Sequence, residues 1–227
     1  MAYDIYIGDR MFSSWSLRGW LMLEKFSLPH TVHMVGLYSG TMADDMAHLA
    51  PARLVPALRT PEGTVIGESL AIAETLAERH PQAGLWPSGQ AQRATARWLA
   101  AEMAAGFGAL RGDCPMQLAH VYEDFETSGA VKADLDRIET LFAHARKVSG
   151  QGSGWLFGDY SLADVFYTPV AARIIGYRLP VSAATRAYCK LLLSDPAVLR
   201  WQEQAHEVRY APEPYKLDLP RRPWSLD

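Results

Sequence analysis

The pattern of hydrophobic and polar residues divides the chain into two parts of different texture. In the first part, apolar and β-branched runs at 3–9 and 30–37 flank a segment, 14–26, whose apolar residues recur every three or four positions. This pattern predicts a strand, a helix and a second strand, which together form a βαβ unit. Short strands are predicted at 56–60 and 64–68, and the Pro-Glu-Gly turn between them indicates an antiparallel hairpin.

A change in composition marks the boundary between the two parts. A predicted helix at 69–80 is followed by residues 81–90, which are rich in proline, glycine and polar side chains, as is typical of a linker. We therefore predict two domains, residues 1–80 and 91–227, joined by the linker 81–90.

The second part is helical in pattern. Helices are predicted at 91–111, 130–148, 162–176, 183–193 and 196–208. The segment 210–227 carries too much proline for a helix, so we expect it to run extended over the surface, docked by Trp224.

Charge and composition exclude several classes of partner. The net charge is −3 and no dense block of Lys or Arg occurs, which argues against nucleic acid and anionic lipid as partners. No apolar run approaches the roughly 20 residues that span a bilayer, and the N-terminus lacks the pattern of a signal peptide. Cys114 and Cys189 lie far apart in sequence, which is typical of reduced thiols. We expect a cytoplasmic protein with no membrane segment.

Serines stand where strands give way to helices. Ser13 and Ser14 stand at the start of the first predicted helix, and Ser69 follows Glu68 at the start of the helix at 69–80. A serine at such a place caps the helix or helps its free N–H groups to hold an anion. Between these helices, the proline of the sequence Val-Pro, residues 55–56, begins a strand, so the backbone there is available to an extended ligand.

Two further motifs have competing interpretations. Residues 67–71, Gly-Glu-Ser-Leu-Ala, nearly match a hydrolase nucleophile elbow, and Asp164 and His206 follow in the order of a catalytic triad. The predicted helices beyond residue 90 offer no strands to carry that acid and base, which disfavours a hydrolase. Ser161 and Asp164 instead have the spacing of a capping box, so we predict a structural role for Asp164.

The order of these motifs resembles that of the cytosolic glutathione transferases. A serine-rich turn after the first strand, a Val-Pro before a hairpin and a Glu-Ser at the third helix precede an all-α domain. The sequence Ser-Ser-Trp-Ser-Leu-Arg, residues 13–18, resembles most closely the serine-type, zeta-like bacterial members. The resemblance implies a thioredoxin-like α/β domain with a mixed four-stranded sheet, followed by an all-α helical bundle. It also implies a transferase acting in detoxification, with glutathione as co-substrate and a small electrophile as second substrate.

The resemblance also assigns roles to individual residues. Ser13 matches the residue that activates the glutathione sulfur, Ser14 lies near the thiol, and Trp15 stands where zeta enzymes have cysteine. Ser14 is then free to serve as the plain N-cap. The remaining glutathione-binding positions are Val55, which pairs with the cysteinyl backbone, Pro56, which matches the cis-proline of the family, and Glu68 and Ser69, which hold the γ-glutamyl end.

The second-substrate pocket and the assembly are less constrained. Phe107, Arg111 and Tyr167, with Trp15, are candidates to line an electrophile pocket with apolar walls and one cation. His30 and His33 are three apart on a predicted strand and point to opposite faces, so we predict no metal site. The resemblance implies a homodimer. The alternatives are a maleylacetoacetate-type cis-trans isomerase, which the departure at Trp15 disfavours, and a non-catalytic protein that binds glutathione or hydrophobic ligands.

Overall fold

The computed structural model describes residues 2–208 and 210–226. The first part of the chain contains β1 (Tyr3–Ile7), α1 (Ser14–Glu24), β2 (His30–Met34), α2 (Met42–Met46), β3 (Ala57–Arg59), β4 (Val65–Ile66) and α3 (Ser69–Arg79). The four strands form one sheet in the order β2-β1-β3-β4. β1 pairs in parallel with β2 and antiparallel with β3, and β3 pairs antiparallel with β4. The predicted mixed four-stranded sheet is confirmed.

The remainder of the chain is mostly helical. It contains α4 (Gln90–Ala105), α5 (Gly108–Asp113), β5 (His120–Tyr122), α6 (Gly129–Ser149), α7 (Leu162–Gly176), α8 (Ala183–Leu193), α9 (Pro196–Ala205) and β6 (Arg221–Pro223). Every residue of α7 is buried, because α1, α4 and α8 pack around this largely apolar helix. Within residues 2–208 and 210–226, no helix is long and apolar enough to cross a bilayer.

The predicted helix at 91–111 is wrong in one respect, because it is two helices. α4 ends at Ala105, and Phe107 adopts a left-handed backbone, φ +57°, before α5 begins. Gly106, a poor helix former, ends α4 with a non-helical backbone of φ −106° and ψ −164°. The break separates α5 from α4.

The C-terminal segment forms a strand that the sequence pattern did not predict. β6 pairs antiparallel with β5, with Tyr122 opposite Arg221 and His120 opposite Pro223. A β-carbon added at Gly176 would lie 3.2 Å from the Trp224 ring, so this indole packs against the end of α7. The predicted docking through Trp224 is confirmed, and the second part is not purely helical.

α1 is attached to the helical part through a buried arginine. Arg18 is 1% exposed, and its Nε donates to the Phe166 carbonyl of α7 over 3.1 Å. Its guanidinium also lies over the Phe166 ring, 5.5 Å from the ring centroid. This contact places the N-terminal end of α1 beside α7.

Candidate active site

Ser13 caps α1. Its backbone is extended, φ −87° and ψ 94°, and its Oγ accepts the N–H of Ser16 over 3.2 Å. Serine is favoured here because its oxygen satisfies a backbone donor that the first turn leaves without a partner. The N-cap role that we assigned to Ser14 therefore belongs to Ser13. Ser14 is the first residue of α1 and is partly exposed.

A second serine lies behind the first. The Ser13 hydroxyl donates to the Ser16 hydroxyl over 2.8 Å, and the backbone N–H of Gly8 donates to the Ser16 Oγ over 2.9 Å. Ser16 is fully buried, whereas Ser13 is 6% exposed. The Ser13 side chain is thus fixed at the edge of the interior.

A cavity of about 390 Å³ opens beside this end of α1. Ser13, Ser14, Trp15 and Val55 line it from the first part of the chain, and Arg111, Met116, Arg173 and Tyr215 line it from the second. The structure therefore brings four of the predicted glutathione-site residues to one cavity, together with Arg111 from the predicted electrophile pocket.

A second cavity of about 340 Å³ adjoins the first, and Leu54 lines both. Glu68 lines this second cavity and is exposed. It immediately precedes α3 and has a positive φ of +62°. Ser69 is the buried first residue of α3. The Val55–Pro56 peptide bond is cis, as the resemblance to the family implied for Pro56.

Two of the predicted pocket residues do not line these cavities. Tyr167 is fully buried in the helical core, where its hydroxyl donates to the Leu99 carbonyl over 3.3 Å and its ring packs edge-on against Phe142. Phe107 is 6% exposed and belongs to the hydrophobic core, where it precedes α5. Their aromatic side chains serve packing, which is the usual role of large apolar residues at helical spacing.

Other residues reach the cavity that the sequence interpretation missed. Arg173 is the one basic residue of α7 and is set in the apolar run 169–176, and such an isolated charge is the signal that could have identified it. Tyr215, from the proline-rich C-terminal segment, contacts Tyr38 through a 2.9 Å hydrogen bond between the two hydroxyls. Tyr38 also lines the cavity. No local pattern pairs these two tyrosines, because they are 177 positions apart.

The cavity wall carries positive charge. Arg173 Nε donates to the Cys114 carbonyl and its Nη1 to the Pro169 carbonyl, and Arg111 donates to the Gly106 carbonyl. These partners are neutral. Burial, with Arg111 adding repulsion, lowers the pKa of Arg173 to about 10, so the group stays charged at neutral pH.

Two guanidinium groups lie over the Trp15 ring. Arg18 is 4.4 Å from its ring centroid and Arg111 is 5.1 Å from it, so both arginines can interact with the π-face of the indole. Burial lowers the pKa of Arg18, and the charges of Arg173 and Arg111 act in the same direction. The three arginines therefore form a cationic cluster around one aromatic wall of the cavity.

Asp164, the acid of the hydrolase alternative, has a capping role. Its carboxylate accepts the Ser161 N–H over 2.8 Å, the Ser161 hydroxyl over 3.0 Å and the Tyr188 hydroxyl over 2.7 Å. The predicted structural role of Asp164 is confirmed.

Comparisons with known proteins identify the family. Residues 12–79 match the model of the glutathione S-transferase N-terminal domain. A maleylacetoacetate isomerase from Pseudomonas aeruginosa is 30% identical in an alignment of 175 residues, and the alignment covers 73% of this chain and 77% of that protein. The chain belongs to the glutathione S-transferase family. A maleylacetoacetate isomerase from Dictyostelium discoideum is 35% identical over 94 residues, which are 41% of this chain and 42% of that protein.

Solved glutathione transferase structures share the fold. A glutathione transferase homolog from Burkholderia, crystallised with bound glutathione, superposes with a TM-score of 0.68 at 21% identity, over 92% of this chain and all of that one. Glutathione transferase Omega 2S from Trametes versicolor gives a TM-score of 0.70 at 20% identity, over 95% of this chain and 99% of that one. The thioredoxin-like domain followed by a mostly helical part is therefore confirmed as the glutathione transferase fold.

Proposed function

We propose that this protein transfers glutathione to a small electrophile, with Ser13 as the hydrogen-bond donor to the glutathione sulfur. The observation that carries the proposal is that Ser13 and Ser14, at the start of α1, line the same cavity as Val55. Glutathione is an extended tripeptide, and the two cavities share Leu54 in their walls. Its cysteinyl backbone would pair with Val55, and its γ-glutamyl end would lie toward Glu68 and Ser69.

The local electrostatics favour a thiolate. A free thiol has a pKa of about 8.5, so a site that holds the anion must stabilise it. The N-terminus of α1 supplies free N–H groups and a partial positive charge, and a serine hydroxyl adds a donor. Arg111 and Arg173 add positive charge to the same cavity. No general base is needed, because the proton of the thiol can leave to solvent.

The reaction forms one bond and breaks another. The sulfur lone pair attacks the electrophilic carbon, a C–S bond forms, and the leaving group departs with its electron pair. With an activated double bond as substrate, the electron pair moves into the conjugated system and a proton from solvent completes the addition. The chain contributes orientation and stabilisation of charge in both cases.

The first test is the ultraviolet thiolate absorbance of bound glutathione between about pH 5 and 10, around the free thiol value. We expect the wild type to lower the pKa of the thiol, and Ser13→Ala to lose most of that shift. Ser14→Ala is the comparison variant, because Ser14 lines the same cavity without capping the helix, and a shift lost there but kept in Ser13→Ala would assign the thiol contact to Ser14. Binding with an unshifted thiol in all three proteins would favour the non-catalytic binding protein.

A second candidate function is glutathione-dependent cis-trans isomerisation of a carboxylated substrate. Two of the relatives are maleylacetoacetate isomerases, and the substrate in that name carries carboxylate groups. Arg111 and Arg173 favour this candidate, since both line the cavity and their hydrogen-bond partners are backbone carbonyls. Arginine is well suited to bind carboxylates.

A matched pair of electrophiles tests this preference for anions. We expect 4-chloro-3-nitrobenzoate to be preferred over 4-chloro-3-nitrobenzamide, and Arg173→Met to reduce kcat/KM for the benzoate by about tenfold or more, the loss of a charged hydrogen bond. Equal rates with both substrates in wild type and variant would count against a carboxylate subsite.

The assembly and the location are also part of the proposal. We propose a cytoplasmic homodimer acting in detoxification, built from domains at 1–80 and 91–227 with the linker 81–90. Light scattering coupled to gel filtration tests the dimer, and limited proteolysis that cuts first within 81–90 would support the domain boundary.

A further inference from the structure

Ser16 occupies the position one helical turn after the proposed thiol donor. Its side chain is fully buried, and its hydroxyl has two hydrogen-bond partners among the described residues, the Gly8 N–H at 2.9 Å and the Ser13 hydroxyl at 2.8 Å. Gly8 follows β1 directly, so Ser16 connects the end of the central strand to the cap of α1. A buried hydroxyl with two fixed partners has a defined position.

The protons of the two hydroxyls limit what Ser13 can do. A serine hydroxyl has one proton and two acceptor sites. In the structure Ser13 donates that proton to Ser16, and its oxygen accepts the Ser16 N–H. A Ser13 proton held by Ser16 is not available to a sulfur atom. When Ser13 turns this proton toward the cavity, its oxygen gains a free acceptor site beside Ser16.

Ser16 can fill that acceptor site. Gly8 contributes an N–H and accepts nothing from Ser16 in this contact, so of the two partners only the Ser13 oxygen can receive the Ser16 proton. Reversing the bond requires rotation of both O–H groups and a small adjustment of the Ser16 side chain, because in the structure only the Ser13 hydroxyl is oriented to donate. The Gly8 N–H continues to donate to the Ser16 oxygen throughout.

We propose that Ser16 is a positioning residue that becomes the hydrogen-bond donor to Ser13 when Ser13 donates to the thiolate of glutathione. Ser13 then accepts two hydrogen bonds from Ser16, through N–H and O–H, and donates one to sulfur. Accepting bonds polarises the Ser13 hydroxyl and strengthens its own donation. This inference rests on the proposed function of Ser13.

The experiment measures the pKa of the thiol of bound glutathione in wild type, Ser13→Ala, Ser16→Ala and the double variant. We expect Ser16→Ala to raise this pKa by about half a unit to one unit, the equivalent of one hydrogen bond. Ser16→Thr retains the hydroxyl and is expected to restore the wild-type value. In the Ser13→Ala background, Ser16→Ala should have no further effect, because Ser16 acts through Ser13.

A second helix of the same chain provides a matched structural control. At α8 the Ser182 Oγ accepts the Thr185 N–H over 3.2 Å and lies 3.2 Å from the Thr185 hydroxyl, the same N-cap spacing as Ser13 and Ser16, while the Ser182 proton goes to the Glu139 carboxylate over 2.5 Å. Thr185→Ala removes the corresponding hydroxyl and should leave the thiol pKa unchanged. If Thr185→Ala shifted the thiol pKa as much as Ser16→Ala does, general destabilisation would explain both shifts. That result would overturn the inference.

Ser16→Cys covers the case in which Ser16→Ala fails to fold, because sulfur keeps the shape of the side chain and donates weakly. In this variant the pKa of the bound glutathione thiol is read from the cysteinyl β-carbon of ¹³C-labelled glutathione. The protein's own thiols do not contribute to that signal. An unchanged pKa in folded Ser16 variants, with the shift still lost in Ser13→Ala, would overturn the role of Ser16 alone. An unshifted thiol in the wild type would overturn the proposed function and this inference together.

Discussion

Gly19 in α1 lies so close to Pro56 that a β-carbon at residue 19 would come within 2.6 Å of the Pro56 Cβ. Real β-carbons essentially never approach so closely, so only glycine allows α1 to pack against the Val55–Pro56 segment. This contact fixes Pro56, the neighbour of Val55, which lines the cavity together with Ser13 and Ser14. The shape of the cavity thus depends on a residue that does not line it.

Gly19→Ala is therefore expected to destabilise the fold by about 1–2 kcal/mol, since the cost of overpacking exceeds the gain in helix propensity. It should also weaken glutathione binding by displacing Val55. Chemical denaturation and calorimetric titration measure the two effects. Gly112→Ala in α5 is the control, because its β-carbon would meet open space, and we expect it to be neutral or to stabilise by up to about 1 kcal/mol. Equal effects from both substitutions would contradict the role of the Gly19–Pro56 contact.

The capping network at the start of α7 is expected to contribute strongly to stability. Asp164→Ala removes the acceptor of two Ser161 groups and leaves the buried Tyr188 hydroxyl without this partner. We expect the free energy of unfolding to fall by about 2–4 kcal/mol. Asp136→Ala breaks an exposed pair with Lys132 in α6 and should cost about 0.5 kcal/mol or less. A small change at Asp164 in urea denaturation would show that its burial cost cancels these bonds.

His120 is expected to make stability depend on pH. Burial, reinforced by the charge of Arg221, lowers the pKa of His120 from 6.5 to about 4. The unfolded chain therefore binds a proton below about pH 6.5 that the folded protein does not bind until about pH 4. Stability contributed by neutral His120 is present above pH 6.5 and is lost as the pH falls toward 4.

Denaturant titrations at several values between pH 4 and 7 test this dependence. His120→Gln should flatten the curve across that window, and the exposed His48→Gln should retain the wild-type slope. Identical slopes in wild type and His120→Gln would exclude His120 as the source.

The two cysteines are expected to be inert in the folded protein. Cys114 and Cys189 are at most 1% exposed, and burial raises the pKa of each thiol to about 12. At pH 8 only about one thiol in ten thousand is then ionised, and the thiolate is the reactive form. A chromogenic disulfide reagent should label both cysteines only after denaturation. Rapid labelling of the native protein would contradict their burial.

Structural features formed by residues close together in sequence were predictable, and contacts between residues far apart in sequence were not. The Ser161–Asp164 capping box is contained within four residues. The βαβ unit follows from the apolar pattern over residues 3–37. The pairing of β5 with β6 joins residues about a hundred positions apart, and Pro223 disguised the second strand. The Ser-Ser sequence located the start of α1, but only the three-dimensional path of the backbone decides that Ser13 rather than Ser14 is the cap.

The residues of the cavity wall were also hard to predict from the sequence, because they lie far apart along the chain. Arg111 and Arg173 come from different helices, and their shared orientation depends on how α5 and α7 pack. The break at Phe107 sets the direction of α5, and a left-handed phenylalanine is uncommon enough that sequence patterns do not predict it.

The hydrogen bond from Arg18 to the Phe166 carbonyl makes the two parts of the chain poor candidates for recombination. A chimera that joined residues 1–80 of this protein to the helical part of another transferase would bury the same guanidinium against a foreign helix. Unless that helix presented a carbonyl group within hydrogen-bond distance of Arg18, the arginine would shift. Its contact with Trp15 on the cavity wall would then change. New substrate preferences are therefore more accessible through substitutions within the helical part than through exchange of whole domains.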